Sequence, residues 1–475
     1  MPIRVRPAIS RRIFLVGGCS AAAAATFPRA VYSSVSSKDI HIVAAIGRWP
    51  LVGGSNKSTD VWCYGSQIPG PEIRVRQGVP VRIVVENKLK EDTTVHWHGI
   101  RLPNAMDGVP GLTQPPIKPG EKFVYEFTPP DAGTFWYHPH ADSLRQLGRG
   151  MAGVLIVEEP ESVPVDRDVT WALADWRLTD DAQIASGFGN AMEAGMSGRV
   201  GNTVTLNGTQ TDSVPVRAGE RIRLRLVNTS LARIMALRFE GHRPVVVAID
   251  GQPCEPHEPV GGRLLLGPAM RIDLVMEMQG EPGARYRVVD DFYPDLSYWL
   301  THLVYEGKPT VRSRSPKHPL VFPRNPLPEP ELAVAEHHEL KLQGGMMGGG
   351  MMTGMGGMMG MGHRAAWAIN GKSMTGDGHA GMVPLVTLKL GRSYVLTMRN
   401  ETAWWHPMHL HGHSFRVLSR NGSSVPYREW ADTVLVPPKE SVDVAFVADN
   451  PGDWMLHCHV TDHQVAGLMT VLRVA

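Results

Sequence analysis

Three stretches of the chain repeat one pattern, in which a glycine precedes a strand-like run that ends in asparagine. They are VRQGVPVRIVVENKL at 75–89, VRAGERIRLRLVNTS at 216–230 and LKLGRSYVLTMRNET at 388–402. Similar units in tandem indicate several copies of one domain, because each copy must bury the same apolar face. We therefore predict an all-β protein of three tandem β-sandwich domains of the Greek-key type.

The segments between the repeats have the composition and periodicity of short strands joined by turns. Runs such as EKFVYEFTPPDAGTFWYH alternate in the manner of half-buried strands, and the chain contains 50 glycines and 38 prolines. The proline-rich stretch HPLVFPRNPLPEPEL at 318–332 is typical of a linker. The predicted domains are accordingly 38–160, 161–317 and 333–475.

The N-terminal residues resemble an export signal. ISRRIFLVGGCSAAAAATFPRA places Arg11 and Arg12 before an apolar, alanine-rich run that is too short to span a bilayer. SRRIFLV is similar to the twin-arginine signal, whose route exports proteins that are already folded. We predict a twin-arginine export signal and leader over 1–37, and a soluble periplasmic protein without stable membrane insertion. An ordinary secretory signal, or lipidation at Cys19, is the alternative.

The net charge limits the classes of partner to expect, and the cysteine content limits the possible disulfides. The formal net charge of +2 gives no reason to expect nucleic acid or an anionic membrane surface as a partner, and we expect a monomer. In an oxidising compartment, Cys63 and Cys254 either form a disulfide or remain two buried thiols.

Four clusters of histidines are the strongest functional signal in the sequence. They are HWHG (His96, His98), HPH (His138, His140), HPMHLHGH (His406, His409, His411, His413) and HCHVTDH (His457, His459, His463). Because residues i and i+2 of a strand face the same side, each His-x-His pair can direct two imidazoles at one place. Neutral imidazole binds copper, zinc, iron or nickel, so the histidines alone do not select the metal.

Cys458, which lies between His457 and His459, indicates copper. Two histidines and one cysteine with a weak or absent axial ligand form the blue-copper arrangement. Cys458 and His463 supply two of these ligands from one loop, and a distant histidine supplies the third. Because Cys458 projects opposite to its two neighbours, those histidines can bind other metal ions, and the motif joins two centres through covalent bonds.

With all four motifs present in order, the chain resembles a three-domain multicopper oxidase of the laccase type over essentially its whole length after the leader. The resemblance implies three cupredoxin-like domains and four copper ions, namely one type 1, one type 2 and two type 3. Carried over motif by motif, the type 1 ligands are His406, Cys458 and His463, and the type 2 ligands are His96 and His409. One type 3 copper would take His98, His138 and His459. The other would take His140, His411 and His457. His413 falls outside this pattern.

The resemblance also assigns supporting residues. Asp107, in NAMDGVPG, occupies the place of the family's first-domain acid, which delivers protons, and an ordinary Asp-Gly turn is the alternative. A second family acid directly follows the last type 1 histidine, where this chain has Gln464, with Asp462 nearby on a different face. The axial position, tenth after the cysteine, is Leu468, which would leave copper three-coordinate, and a register error of one would let Met469 bind instead.

The tract GGMMGGGMMTGMGGMMGMG at 344–362 contains eight methionines and ten glycines, too much glycine for a stable helix or packed strand. Thioethers favour Cu(I), and the tract resembles the methionine-rich insertion of bacterial cuprous oxidases. The candidate ligands for substrate copper are Met346, Met347, Met351, Met352, Met355, Met358, Met359 and Met361. A flexible insertion without function is the alternative. Those oxidases carry an acid and a methionine before the first type 1 histidine, where this chain has Thr402 and Trp404, with Glu401 one step earlier.

The predicted reaction is one-electron oxidation of a small reducing substrate, coupled to four-electron reduction of dioxygen to water. The expected substrate is Cu(I), with Mn(II) or phenols as further possibilities, and the expected role is copper tolerance. A copper-sequestering protein and a general phenol-oxidising laccase are the alternatives. The intact ligand set speaks against a scaffold that has lost catalysis, and the chain length speaks against a two-domain nitrite reductase.

Overall fold

The structure, a computed structural model, describes residues 39–53, 57–161, 163–312, 320, 322–346 and 366–475. The predicted export signal and leader at 1–37 lie outside these residues, and so do all the tract methionines after Met346. Residues 38–475 belong to one compact unit. Within the described residues, no helix has both the length and the apolar character that a membrane crossing requires.

In the part of the chain that the structure describes, the first sandwich has two four-stranded sheets. Its strands are β1 Ile40–Trp49, β2 Thr59–Tyr64, β3 Gly70–Arg76, β4 Val81–Asn87, β5 His96–His98, β6 Lys122–Phe127, β7 Gly133–His138 and β8 Gly153–Glu158, with a 3-10 turn at Asn104–Met106 and helix α1 at Ser143–Gly148. The sheet orders are β2-β1-β4-β6 and β3-β8-β7-β5.

The second sandwich has six strands in one sheet and five in the other among the described residues. Its strands are β9 Arg167–Trp176, β10 Thr203–Leu206, β11 Ser213–Val216, β12 Arg221–Asn228, β13 Met235–Phe239, β14 Val245–Ile249, β15 Gln252–His257, β16 Leu264–Leu266, β17 Arg271–Glu277, β18 Arg285–Asp290 and β19 Tyr298–Tyr305, with helix α2 at Ala191–Ala194 and 3-10 turns at Val260–Gly262 and Pro294–Leu296. The sheet orders are β10-β9-β12-β17-β14-β15 and β11-β19-β18-β13-β16.

The third sandwich follows a 3-10 turn at Leu332–Val334. Its strands are β20 Glu336–Gly344, β21 Trp367–Ile369, β22 Val386–Leu388, β23 Ser393–Asn400, β24 His406–Leu410, β25 Phe415–Arg420, β26 Ser423–Ser424, β27 Trp430–Ala431, β28 Thr433–Val436, β29 Ser441–Val447, β30 Gly452–Cys458 and β31 Met469–Val474, with helix α3 at Thr461–Val465. One sheet has the order β21-β20-β23-β29-β25-β26, with β27 paired to β25, and the other has the order β22-β31-β30-β24-β28.

The three sandwiches share one topology around the repeated sequence. The repeat strands β4, β12 and β23 each pair in parallel with the first strand of their own sandwich, which is β1, β9 or β20. On the other side they pair antiparallel with β6, β17 and β29. The prediction of an all-β fold with three tandem sandwiches is confirmed.

The asparagine that ends each repeat has the same structural role in all three copies. The side-chain oxygens of Asn87, Asn228 and Asn400 accept hydrogen bonds of 2.9–3.0 Å from the backbone N–H two residues later. Their amide groups donate to backbone carbonyls a few residues further on. Asparagine thus closes the turn that follows the strand, because its side chain mimics a backbone turn.

Two further features of the chain pack within this architecture. In the predicted linker, Phe322 packs with Val247 and Val275 of the second sandwich, so this segment lies against the sandwich surface. Cys63 in β2 and Cys254 in β15 are both free thiols, so the structure has no disulfide between them; Cys63 is buried, as the free-thiol alternative expected, whereas Cys254 is only partly buried.

Candidate metal centres

The first-domain histidines lie at one end of the sheet that contains β5 and β7. His96 lies opposite His138 in this antiparallel pair. Trp97 is fully buried in the core of the first sandwich, so the alternation of the strand sends His96 and His98 to the other face. The ring centroid of His96 is 5.4 Å from that of His138 and 5.0 Å from that of His140.

The third-domain histidines lie on the equivalent pair of strands, β24 and β30. His409 lies opposite His457, and the next pair along the ladder joins Met408 to Cys458. Cys458 packs in the apolar core of the third sandwich, whereas His457 lies against His409 and His411, with ring centroids 5.6 and 5.2 Å away. The alternation predicted for HCH is therefore present.

Eight histidines from these two domains meet in what we call the eight-histidine cluster. It consists of His96, His98, His138 and His140 from the first domain and His409, His411, His457 and His459 from the third. Three-residue groups with ring nitrogens within 4.8 Å of one another include His98, His138 and His459, then His140, His411 and His457, and also His96, His98 and His409. These groups contain the sets predicted from the sequence.

A second group, which we call the thiol site, is formed by His406, Cys458 and His463. The Sγ atom of Cys458 is 3.5 Å from His406 Nδ1 and 3.7 Å from His463 Nδ1. The two Nδ1 atoms are 3.2 Å apart, and all three residues are fully buried. One sulfur and two nitrogens therefore converge on one point, as the sequence predicted.

The protonation states of both groups suit metal binding. Burial, followed by repulsion between neighbouring imidazoles, lowers the pKa well below its ordinary value at His98, His138, His140, His411, His457 and His459. These six histidines are therefore neutral at pH 7, and neutral imidazole is the form that binds metal. Burial also raises the pKa of the Cys458 thiol, so a metal cation is needed to hold it as thiolate.

Unsatisfied nitrogens give independent support for a metal. Within the described residues, His96 Nε2, His98 Nδ1, His140 Nε2 and His409 Nε2 are buried and lack a hydrogen-bond partner. Buried polar atoms are normally paired, and several unpaired lone pairs facing one another are explained by metal ions between them. The donor sets fit copper, since one site offers thiolate with imidazole and the other offers imidazole alone.

Comparison with known proteins identifies the family. Sequence profiles of the multicopper oxidase family match residues 49–162, 167–300 and 358–475. The chain is 31% identical to the multicopper oxidase MmcO of Mycobacterium tuberculosis over 460 residues, which covers 86% of this chain and 82% of the relative. The chain belongs to the multicopper oxidase family.

Solved structures of the family agree with the architecture of this oxidase. A multicopper oxidase from Pseudomonas thermotolerans is 36% identical, with a TM-score of 0.81 over 92% of this chain and 99% of that one. A multicopper oxidase from Campylobacter jejuni, described as a metallo-oxidase, is 26% identical, with a TM-score of 0.77 over 93% of both chains. The protein is therefore an oxidoreductase of a copper-dependent family that uses oxygen and a reducing substrate.

Hydrogen bonds hold the histidines of the oxidase in fixed tautomers. His96 Nδ1 donates to the backbone oxygen of Asp107 at 2.7 Å, which leaves Nε2 free to face the cluster. His411 Nδ1 lies 2.9 Å from Asp107 Oδ2. Asp107 is buried and follows the turn at Asn104–Met106, so one residue both forms the predicted turn and contacts two cluster histidines. His413 Nδ1 is 3.2 Å from the His411 backbone oxygen.

The thiol site is enclosed by residues that sequence reasoning did not single out. His463 Nε2 donates to the backbone oxygen of Met196 at 2.7 Å, and Met196 follows helix α2 of the second domain. The ring of Trp367 lies 5.0 Å from His406 and 4.4 Å from His463. These contacts join residues far apart in sequence, and no local motif marks them.

Thr402, which occupies the position of an acid in the bacterial cuprous oxidases, contacts the thiol site directly. Its Oγ1 is 2.9 Å from His406 Nε2. A metal ion bound at His406 Nδ1 would place the proton on Nε2, which would then donate to the threonine. The departure from the cuprous oxidase pattern therefore replaces an acid with a buried hydroxyl that orients a predicted copper ligand.

The residues after Cys458 have distinct environments. Leu468 lies in the same buried cluster as Cys458, whereas Met469 packs with Val109 and Met455. Asp462 accepts a hydrogen bond from the Arg199 backbone N–H at 2.8 Å, and burial raises the pKa of Asp462 to about 6. Gln464, in the place of the family's second acid, is also buried.

Proposed function

We propose that this multicopper oxidase oxidises Cu(I) one electron at a time and reduces dioxygen to water with four electrons. The proposal assigns one type 1 copper to the thiol site, and one type 2 and two type 3 coppers to the eight-histidine cluster. Bound copper supplies the one-electron redox chemistry at both places. The observation that carries the proposal is the sequence His457-Cys458-His459, in which the thiol site and the cluster share consecutive residues.

The chain provides a direct covalent route between the two sites. Cys458 points to the thiol site, while His457 and His459 belong to the cluster. The Cys458 N–H donates to the Leu468 backbone oxygen at 3.0 Å, and the His459 N–H donates to that of Pro407 at 2.7 Å. These hydrogen bonds fix the backbone of the three residues, so the sulfur and both imidazoles keep their relative positions.

Asp107 is the acid that we propose for the cluster. Its Oδ2 binds His411 and its Oδ1 lies 3.3 Å from His96 Nδ1, so one carboxylate contacts a type 3 and a type 2 ligand of the proposed assignment. Reduction of dioxygen to water consumes protons, and a buried carboxylate beside the cluster can pass them on.

The start of the methionine tract supports Cu(I) as the substrate. The Met346 N–H donates to the Gly195 backbone oxygen at 2.7 Å, and the Trp404 indole N–H donates to that of Met346 at 2.9 Å. Gly195 adjoins Met196, which binds His463, and Trp404 lies two residues before His406. The tract therefore begins on the two segments that carry partners or ligands of the thiol site, and its thioethers suit Cu(I).

The carboxylate of Glu193, on the helix that precedes Met196, is already paired with cationic side chains. This favours a soft substrate cation over a hard one. Glu193 of helix α2 forms ion pairs with Arg177 and Arg199. Mn(II) prefers carboxylate ligands, and this carboxylate is engaged by two guanidinium groups. The Campylobacter jejuni relative, described as a metallo-oxidase, also supports a metal ion as substrate.

The proposal includes export of the folded oxidase to the periplasm by the twin-arginine route, where it acts as a monomer in copper tolerance. The SRRIFLV motif supports the route, since this pathway carries folded proteins. Periplasmic fractionation of cells that express the wild type and an Arg11→Lys, Arg12→Lys variant tests the location. Export of both alike would refute the twin-arginine assignment.

Deletion of residues 347–362 tests the role of the tract. The Gly345 N–H donates to the Ala366 backbone oxygen at 2.9 Å, so described residues on either side of the deleted segment are already adjacent and a short loop can join them. We expect the KM for Cu(I) to rise roughly tenfold or more, since a lost contribution of about 1.4 kcal/mol suffices for this change. Oxidation of a bulky phenol should stay as fast or become faster.

A matched control separates the thioethers from the bulk of the tract. Replacing each tract methionine after Met346 with leucine keeps the chain length and apolar character but removes sulfur. We expect this variant to lose Cu(I) affinity in the same way and to leave phenol oxidation unchanged. Unaltered Cu(I) kinetics in both variants would refute the proposal that the tract methionines bind substrate Cu(I). Cu(I) binding without oxygen uptake in the wild type would favour the copper-sequestering alternative.

A further inference from the structure

We propose that Arg271, in the second domain, is a positioning residue for the eight-histidine cluster. All eight histidines of this cluster come from the first and third domains. Arg271 acts on them through Asp432, which contacts one histidine from each of those two domains. The second domain would then determine the geometry of the oxygen-reducing centre in addition to linking the other two.

Arg271 is completely buried, and its guanidinium group binds all three domains. Nη1 and Nη2 donate to the two carboxylate oxygens of Asp432 at 2.8 and 2.5 Å and form a bidentate ion pair. Nε donates to the Thr134 backbone oxygen of the first domain at 3.2 Å, and Nη1 also donates to that of Ala269 at 3.1 Å. These contacts together fix the position of the Arg271 guanidinium group.

Asp432 transmits this position to the cluster. Its Oδ1 lies 3.1 Å from His98 Nε2 and 3.3 Å from His409 Nδ1. The His409 Nδ1–H also donates to the Asp432 backbone oxygen at 2.9 Å. Since carboxylate and carbonyl oxygens only accept, the contacts fix the tautomer of both imidazoles and leave His98 Nδ1 and His409 Nε2 for a metal.

A second carboxylate fixes the backbone of Asp432 from the second domain. Asp250 Oδ1 accepts the Arg271 backbone N–H at 2.9 Å. Its Oδ2 accepts the N–H groups of Asp432 and Thr433 at 3.2 and 3.0 Å. Asp250 and Arg271 therefore hold the backbone and the side chain of one residue, so Asp432 has little freedom to move.

The ion pair between Arg271 and Asp432 is closely packed against the backbone next to His98. Gly99, directly after His98, has φ +85°, and a Cβ atom on it would lie 2.4 Å from both Arg271 Nη2 and Asp432 Oδ2. A shift of the ion pair would therefore reach the backbone next to His98. This close contact explains why glycine follows the HWH motif.

The physical effect of Arg271 is to keep a buried carboxylate in a defined orientation. Asp432 is completely buried, and the guanidinium group of Arg271 provides the positive charge that balances its carboxylate. Removing the guanidinium leaves the carboxylate with the Thr433 hydroxyl, which donates to Oδ1 at 2.8 Å, and the two imidazoles as its side-chain partners, so the carboxylate and both rings can reorient. Partners of this kind typically affect metal affinity about 10- to 100-fold.

The test compares Arg271→Met with Arg223→Met in the full-length, copper-loaded oxidase. Arg223 is a matched control, because it is just as deeply buried on the neighbouring strand and its carboxylate partners are Asp273 and Glu159. A copper chelator is titrated against each protein, and the type 2 electron paramagnetic resonance signal and the blue absorption band are followed in the same samples. Arg271→Lys is a second variant, which keeps the charge but loses the bidentate geometry.

We expect Arg271→Met to lose its type 2 signal at about tenfold or more lower chelator concentration than Arg223→Met, with the blue band retained in both. Arg271→Lys should show altered type 2 hyperfine parameters. Equal chelator resistance of the two methionine variants would refute the inference. If Arg271→Met gives no folded protein, a wild-type type 2 spectrum in Arg271→Lys refutes it and an altered spectrum supports it.

The inference rests on the proposed copper centres. The same samples distinguish failure of the proposed function from failure of the positioning role. A wild-type protein that binds copper without blue colour or a type 2 signal would refute the proposed function. A normal wild type with an insensitive Arg271 would refute only the positioning role.

Discussion

Thr402→Val removes one hydroxyl from the thiol site and leaves a side chain of nearly the same shape. The Thr402 Oγ1 accepts hydrogen bonds from His406 Nε2 at 2.9 Å and from the Trp404 backbone N–H at 3.1 Å, and it donates to Asn400 Oδ1 at 2.7 Å. Thr402 is completely buried, so water cannot replace the lost oxygen easily. The substitution therefore leaves a buried donor on His406 and a partly buried donor on Trp404 without this acceptor.

The expected loss of copper affinity depends on whether the hydroxyl stabilises the copper-bound state more than the copper-free state. In the copper-free protein the imidazole of His406 can change tautomer or tilt, but copper at Nδ1 forces the proton onto Nε2. An unsatisfied buried donor costs about 1–3 kcal/mol, so the copper-bound state loses roughly 5- to 150-fold in affinity. This range agrees with the effect of about 10- to 100-fold that is typical of residues that orient metal ligands.

Competition with a copper chelator, followed by the blue band, measures the change. We expect Thr402→Val to reach half-loss of the band at about tenfold or more lower chelator concentration than the wild type. Thr402→Ser is the control, because it loses a methyl group but keeps the acceptor, and it should stay close to the wild type. Indistinguishable titrations of the valine and serine variants would contradict the hydrogen-bond argument.

Three further predictions concern the cysteines. Cys458→Ser should abolish the blue band and oxygen uptake while the far-ultraviolet circular dichroism stays unchanged, and a blue serine variant would disprove the thiolate assignment. Cys254 should react with a maleimide only slowly near pH 7 and faster as pH rises, because burial raises its pKa to about 12 and the thiolate is the nucleophile. Unfolding under non-reducing conditions should release Cys63 and Cys254 as thiols, and a missing pair would reveal a disulfide.

The sequence alone determined the repeated architecture and the composition of the candidate centres. Strand periodicity and the recurring asparagine predict the three sandwiches, because both are local consequences of backbone geometry. The spacing of HWH and HCH predicts which imidazoles share a face, since alternate residues of a strand point to the same side. The same alternation directs the Cys458 side chain away from those of His457 and His459, so one short motif can serve two centres.

Only the tertiary structure decided which groups orient those ligands. Arg271 meets Asp432 and Met196 meets His463 across domain boundaries, and such contacts depend on how sandwiches dock, which no local spacing records. Thr402 looked like a missing acid in the sequence, and only its distance to His406 reveals a hydrogen-bond partner. Local periodicity determines the direction of a side chain, but packing determines what it meets, because a contact requires two distant segments to fold against each other.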